Sequence, residues 1–188
     1  MTPLDARTAR SHQGGPSFAL SHRLYRGLWI VTWALFAAWT PPPAHRWRVF
    51  LLNLFGADVH PTCHVYGSTR VWDPRRLRMR PRARLGPRTN CYCIAQIDLG
   101  EGAVVSQDST LCTGSHDIRD PYFQLFAKPI IVDADAWVAA ESFVGPGVKI
   151  GEGAVLGARG VAFRDLEPWT VFIGNPCEVL RPRRLNKD

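Results

Sequence analysis

The side chain in this sequence best suited to move a proton is His116, within Thr113-Gly114-Ser115-His116-Asp117. An imidazole takes a proton from a hydroxyl near neutral pH, provided its other ring nitrogen is held by an acceptor. Asp117, a backbone carbonyl or a carboxylate such as Glu141 could be that acceptor, and the sequence leaves the choice open. No histidine follows His116, and the one before it is His64. A metal-dependent hydratase would need three imidazoles together; His60 and His64 stand too far back in the chain to supply them, so no metal is expected.

What positions His116 is a six-residue period. Val59, Val65, Val71 and Leu77 are six apart, and Leu85 and Cys91 resume the step after a two-residue slip. Leu99, Val105 and Leu111 continue it, as do Val132, Val138, Val144, Ile150 and Leu156. Four residues after the aliphatic stands a small one, among them Cys63, Thr69, Thr89, Ala103, Ser109, Ser115, Ala136, Ser142, Ala154 and Gly160. Six residues make one short strand and one corner, and about three such units close a triangular coil. A helix would repeat near 3.6 and an ordinary strand near 2. The period predicts a mainly β fold, a parallel β-helix in which aliphatics stack inside and small residues fill the corners.

The period breaks twice. Between Val71 and Leu85 it is crowded by arginines, and Arg75 falls where a small inward residue belongs, so that coil should be distorted or partly open. Six after Leu111 comes Asp117, which cannot face a dry core unpaired. The repeat restarts near Val132, which predicts a projecting loop over 117–130 carrying Tyr122, Phe123 and Phe126. His116 sits at its lip, and such a loop should pack on a neighbouring subunit or a ligand.

Ahead of the repeat, residues 1–17 read as a flexible lead and 18–56 as a helical segment. Its most apolar run, Leu28 to Trp39, is about a dozen residues against the ~20 that span a bilayer. Three tryptophans make it a poor export signal. A helix that packs on the domain or lies on a membrane surface fits better, stopped by Pro41-Pro42-Pro43. Trp47 to Phe55 predicts a second helix ending at Gly56. The β-helix domain should occupy 57–173 and a tail 174–188.

The formal charge is +7, carried by arginine, because lysine occurs only at Lys128, Lys149 and Lys187. Such a surface suits anionic partners without choosing among them. Eight arginines lie between Arg70 and Arg88; without interleaved aromatics beyond Trp72 they do not read as a nucleic-acid surface, but they could meet a diphosphate-linked sugar. Five cysteines without CxxC spacing point to a reducing compartment.

Leu111-Cys112-Thr113-Gly114-Ser115-His116-Asp117, Asp135-Ala136-Trp137-Val138-Ala139, Val144-Gly145-Pro146-Gly147-Val148 and Gly174-Asn175-Pro176 together resemble the hexapeptide-repeat acetyltransferases. The branch most similar is that of colanic-acid biosynthesis, beside the galactoside, maltose and nodulation-factor acetyltransferases. The likeness covers about residues 18 to 183, including Arg26-Gly27-Leu28-Trp29 (one residue shorter than the family's form) and Leu51-Leu52-Asn53-Leu54-Phe55-Gly56. The resemblance implies a left-handed coil, a homotrimer with sites between subunits, acetyl-CoA as donor and a sugar hydroxyl as acceptor in exopolysaccharide assembly. A xenobiotic, serine or amino-sugar acceptor, or a non-catalytic scaffold, is the alternative. With the cysteine usage and the N-terminal apolar run, the expectation is a cytoplasmic enzyme, in contact with the inner membrane face if the N-terminal helix reaches it. Carried over, His116 is the general base, and the backbone N–H of Ala140, where relatives often carry serine, meets the oxyanion. Trp137 lines the acceptor or pantetheine side. Gly157 and Ala158 offer backbone to pantetheine, and Arg164, Arg181, Arg183 or Arg184 meets the CoA phosphates.

Overall fold

The computed structural model describes residues 3–9 and 13–185. From Asp58 onward the chain winds into a parallel solenoid of three faces. The first stacks Asp58–Val59, Leu77–Met79, Ile97–Leu99, Ile130–Val132 and Lys149–Ile150. The second runs from His64–Val65 through Arg84–Leu85, Val104–Val105, Trp137–Val138 and Val155–Leu156 to Thr170–Ile173. The third stacks Arg70–Val71, Asn90–Tyr92, Thr110–Cys112, Phe143–Val144 and Val161–Ala162. The edges between faces one and two, two and three, and three and one are called here the first, second and third edges.

The aliphatic columns are dry. Val65, Leu85, Val105, Val138 and Leu156 are fully buried on the second face, above one another. Cys63, Ala83, Ala103, Ala136 and Ala154 fill the first edge, all fully buried. At the second edge four inward residues, Thr69, Thr89, Ser109 and Ser142, are hydroxylated and each spends its hydroxyl on a carbonyl, as Thr89 does on Gly86 at 2.8 Å and Ser109 on Ala139 at 2.7 Å; Gly160 fills the last place. Gly100 marks how closely coils approach, since a Cβ there would stand 2.5 Å from the Ala134 nitrogen.

The coil length changes along the axis. Val59 pairs with Met79 and Met79 with Leu99, so the first coils take 20 residues. Val132 pairs with Ile150, a coil of 18. Met79, not Leu77, therefore continues the column from Val59, and Leu77 is a second inward residue on the same strand. The two extra residues sit at the third edge, where Pro74–Arg76 form a 3-10 turn capped by Asp73, whose carboxylate accepts from the Arg75 N–H at 3.1 Å. Arg75 turns outward there, holds Asp73 at 2.8 Å and lies over the Tyr25 ring. The expected distortion is thus a widened corner, and the coil stays closed. Ser115 is likewise not inward: Thr113 takes the buried place, and Ser115 is exposed on a hairpin.

The solenoid's first coil is closed by α2 (Leu20–Phe36) and α3 (His45–Leu54). Tryptophans staple α2 to the carbonyls beneath it: Trp29 to Val71 at 2.7 Å and Trp33 to Gly67 at 2.9 Å. Asn53 caps the first strand by exchanging two bonds with Val59, at 2.8 and 2.9 Å, in place of a missing neighbour. Arg48 is wholly buried and donates to the carbonyls of Thr40, Pro41, Pro42 and Val65, which ties the connection between the helices to the second face. Among the described residues no helix is long and apolar enough to cross a membrane.

Both ends carry secondary structure among the described residues. Within the expected flexible lead, α1 (Ala6–Ala9) docks through its Ala6 N–H on the Gln124 side chain at 2.7 Å; residues 1, 2 and 10–12 lie outside the described residues. The expected tail contains a strand, Glu178–Pro182, antiparallel to Thr170–Ile173, while residues 186–188 lie outside the description.

Candidate active site

The break after Leu111 is a hairpin on the third edge. Gly114–His116 pairs antiparallel with Leu125–Ala127, His116 opposite Leu125. At its tip the chain doubles back through Phe123, which has a left-handed φ of 53°, so that ring and carbonyl both meet His116. The His116 Nδ1 lies 2.7 Å from the Phe123 carbonyl oxygen, and the two rings stack at 4.4 Å with 9° between planes. A carbonyl only accepts, so Nδ1 carries the hydrogen and the Nε2 lone pair is left for a substrate. Of the three acceptors the sequence leaves open, the backbone carbonyl is the one present. Asp117 instead accepts from the Arg119 N–H at 2.9 Å and pins the hairpin turn. Glu141 lies on the second edge, paired with Arg159 at 2.8 Å.

Ala140 and Ala158 are also on the second edge. The turn through Glu141, φ 60°, holds the corner, and no protein acceptor meets the Ala140 or Ala158 N–H among the described residues. Gly157 has no such N–H to offer, because it donates to Phe172 at 2.7 Å; a side chain there would meet Ile173. One chain therefore keeps His116 and Ala140 on different edges of the prism.

The remaining basic residues also separate. Arg164 is exposed on the third edge, beside a cavity of about 290 Å³ shared with Phe163 and Pro176. Arg183 crosses to the first edge, where Nη1 donates to Asp135 and Gly153, each at 2.8 Å. That commitment makes Arg183 a clamp on the coils. Arg181 is exposed on the last strand and Arg184 follows it, exposed as well. Trp137 stands half-exposed on the second face, its indole N–H on Ser106 at 2.9 Å, in an open groove of about 460 Å³ that Trp169 and Arg183 also line.

Sequence reasoning missed a set of residues on the third edge. Trp72 and Tyr92 succeed one another below the hairpin, edge to face at 5.7 Å, and Arg26 from α2 lies over the Trp72 ring at 4.0 Å. With Phe18 and Arg23 they line a cavity of about 410 Å³. Trp72 and Tyr92 each follow a repeat aliphatic directly, which was the available signal. Cys112 is nearby, but burial raises its thiol pKa, and its Sγ donates to the Gly114 carbonyl at 3.2 Å.

No family profile matches the chain. It is 40% identical over 156 residues to the Escherichia coli K12 protein named "Putative colanic acid biosynthesis acetyltransferase WcaF", a match covering 83% of this chain and 86% of that one. The chain belongs to the hexapeptide-repeat acetyltransferases. A chloramphenicol acetyltransferase of Escherichia coli is 42% identical to this acetyltransferase, but only over 57 residues, 30% of this chain and 27% of that one. Among solved structures, a maltose O-acetyltransferase from Clostridium difficile superposes with a TM-score of 0.77 at 21% identity, covering 89% of this chain and 90% of that one. A galactoside acetyltransferase in complex with coenzyme A also gives 0.77, at 18% identity over 90% and 86% of the two chains. Likeness at those identities speaks to the fold. The acyltransferase assignment rests on the WcaF match.

Proposed function

We propose that the chain is an O-acetyltransferase that moves acetyl from acetyl-CoA to a saccharide hydroxyl, in the cytoplasm and within exopolysaccharide assembly. The observation carrying this reading is the bond from His116 Nδ1 to the Phe123 carbonyl, which leaves Nε2 as a fixed proton acceptor on a hairpin. The acceptor hydroxyl gives its proton to Nε2 as its oxygen attacks the thioester carbonyl. The Ala140 N–H donates to the resulting oxyanion. Collapse breaks the carbon–sulfur bond, and the proton held on His116 passes to the leaving CoA thiolate. A raised Cys112 thiol argues against a covalent acyl-enzyme there, since the thiolate is the nucleophile.

This mechanism needs His116 from the third edge of one copy and Ala140 from the second edge of another. That separation supports a homotrimer with shared sites. Ala158 and Arg164 then stand along the same cleft to receive the pantetheine and a phosphate of CoA. The saccharide fits the cavity beneath the hairpin, where Trp72 and Tyr92 offer aromatic faces and Arg23 and Arg26 favour an anionic, phosphate-linked sugar.

The test is thiol release from acetyl-CoA against free sugars, nucleotide sugars and lipid-linked oligosaccharides. Turnover with a saccharide and retention of an ester in the product support the reading. An amide product, or turnover only with chloramphenicol or serine, replaces the acceptor class.

A further inference from the structure

We propose that α2 and α3 form a docking surface for an anionic lipid bilayer, with both helices lying in the plane of the membrane interface. This surface is built by the first coil and its closing helices, and it does not depend on the acyl-transfer reading.

A helix packed on one side against protein normally turns polar residues to water on the other. In α2 the inward side is held by His22, Trp29 and Trp33, yet the opposite side is apolar as well. Leu20, Leu24, Leu28, Val31 and Leu35 follow one another at helical spacing, and each is 55–66% exposed. On α3 the outward stripe is Trp47, Phe50 and Leu54, again exposed. The two stripes meet where the Trp47 indole N–H donates to the Phe36 carbonyl at 2.7 Å. Isolated exposed aliphatics are ordinary, but a continuous stripe over two neighbouring helices is an interaction surface.

Charge selects the partner. Between Asp5 and Asp58 there is no acidic residue, while Arg23 on α2 and Arg46 on α3 stand exposed beside the two stripes. Two such faces packed together would oppose like charges across an apolar contact, whereas an anionic lipid surface supplies the missing counter-charge. The tryptophans fit the same medium. Trp39 is 73% exposed, and its indole N–H already donates to the Leu35 carbonyl at 2.7 Å. With that donor satisfied internally, as it is in Trp47, the ring enters an apolar layer without losing a bond to water. The helix has 17 residues and does not qualify as a span, so it lies along the surface.

The experiment is sedimentation of the full-length protein with vesicles of equal parts phosphatidylglycerol and phosphatidylcholine, and with phosphatidylcholine alone. Binding to the mixed vesicles is expected, weakened at least tenfold by Leu24→Ser/Leu28→Ser/Leu35→Ser and by raised salt, with acetyl transfer to a soluble acceptor unchanged in the triple variant. Quenching of tryptophan fluorescence by brominated acyl chains should fall in Trp39→Phe/Trp47→Phe. Failure to bind the mixed vesicles overturns the proposal. So does a triple variant that loses its oligomeric state in light scattering without lipid, because the stripe would then be an interface between copies.

Discussion

The His116 ring lies flat on Phe123, 4.4 Å between centroids, while the carbonyl of that same Phe123 receives its Nδ1 at 2.7 Å. One residue thereby fixes both the plane and the tautomer of the imidazole, and Phe123 can do so only because its φ of 53° folds the tip back. General-base catalysis typically contributes ~10²–10⁴-fold, so His116→Ala should lose about that much turnover. Because the side chain sits on a hairpin outside the prism, thermal midpoint and CoA affinity should hold. Near-normal turnover in this variant would retire the mechanism.

Ala140 offers a cleaner deletion than most backbone donors. It is the second residue after its column aliphatic, a place held by Pro87 at the same edge and by Pro61, Pro81 and Pro146 at the other two. Ala140→Pro should therefore fold, remove only the N–H and cost roughly 10²–10³-fold in turnover. Mixing Ala140→Pro with His116→Ala during refolding should restore part of the activity, since some sites would take each intact edge from a different copy. No recovery, in a protein shown by light scattering to be a mixed oligomer, would mean that one chain holds the complete site.

Arg164 and Arg183 should separate by assay. Arg164 is exposed on the third edge, so Arg164→Ala should weaken CoA binding by about fivefold at low salt and by less at high salt. Arg183 holds the carbonyls of Asp135 and Gly153 together, so Arg183→Ala should lower the thermal midpoint and leave CoA affinity in place. Calorimetry and a thermal scan on both variants check the pair; the reverse pattern would move the phosphate site to the first edge.

His22 links stability to pH. It is buried on the inner side of α2, its Nε2 without a partner among the described residues, its Nδ1 2.9 Å from Arg75 and 3.6 Å from Asp73. Burial lowers its pKa; Asp73 opposes that, and Arg75 and Arg26 add to it. The unfolded chain then binds the proton first as pH falls, so this contribution is intact above about pH 6.5 and is lost progressively below it. Denaturant midpoints from pH 7.5 to 5 should fall, and His22→Gln should flatten the slope. An unchanged slope would show that other groups carry it.

The six-residue period determined the solenoid, its aliphatic columns and the place where it breaks, because inward positions in a stacked coil tolerate only particular sizes and recur at fixed intervals. The sequence also singled out His116, since a histidine at the end of a repeat has no place in the column. It misassigned Leu77 and Ser115, because a 20-residue coil contains the same six-residue steps as an 18-residue one, with the extra residues hidden in a corner. Tertiary structure alone decided that Phe123 and not Asp117 holds the imidazole, that Arg183 clamps coils, and that Trp72 and Tyr92 share an edge with the hairpin. The first depends on how the hairpin pairs and on the left-handed turn at Phe123; the other two depend on residues from different turns being brought to one edge, which is set only when the coils close on one another.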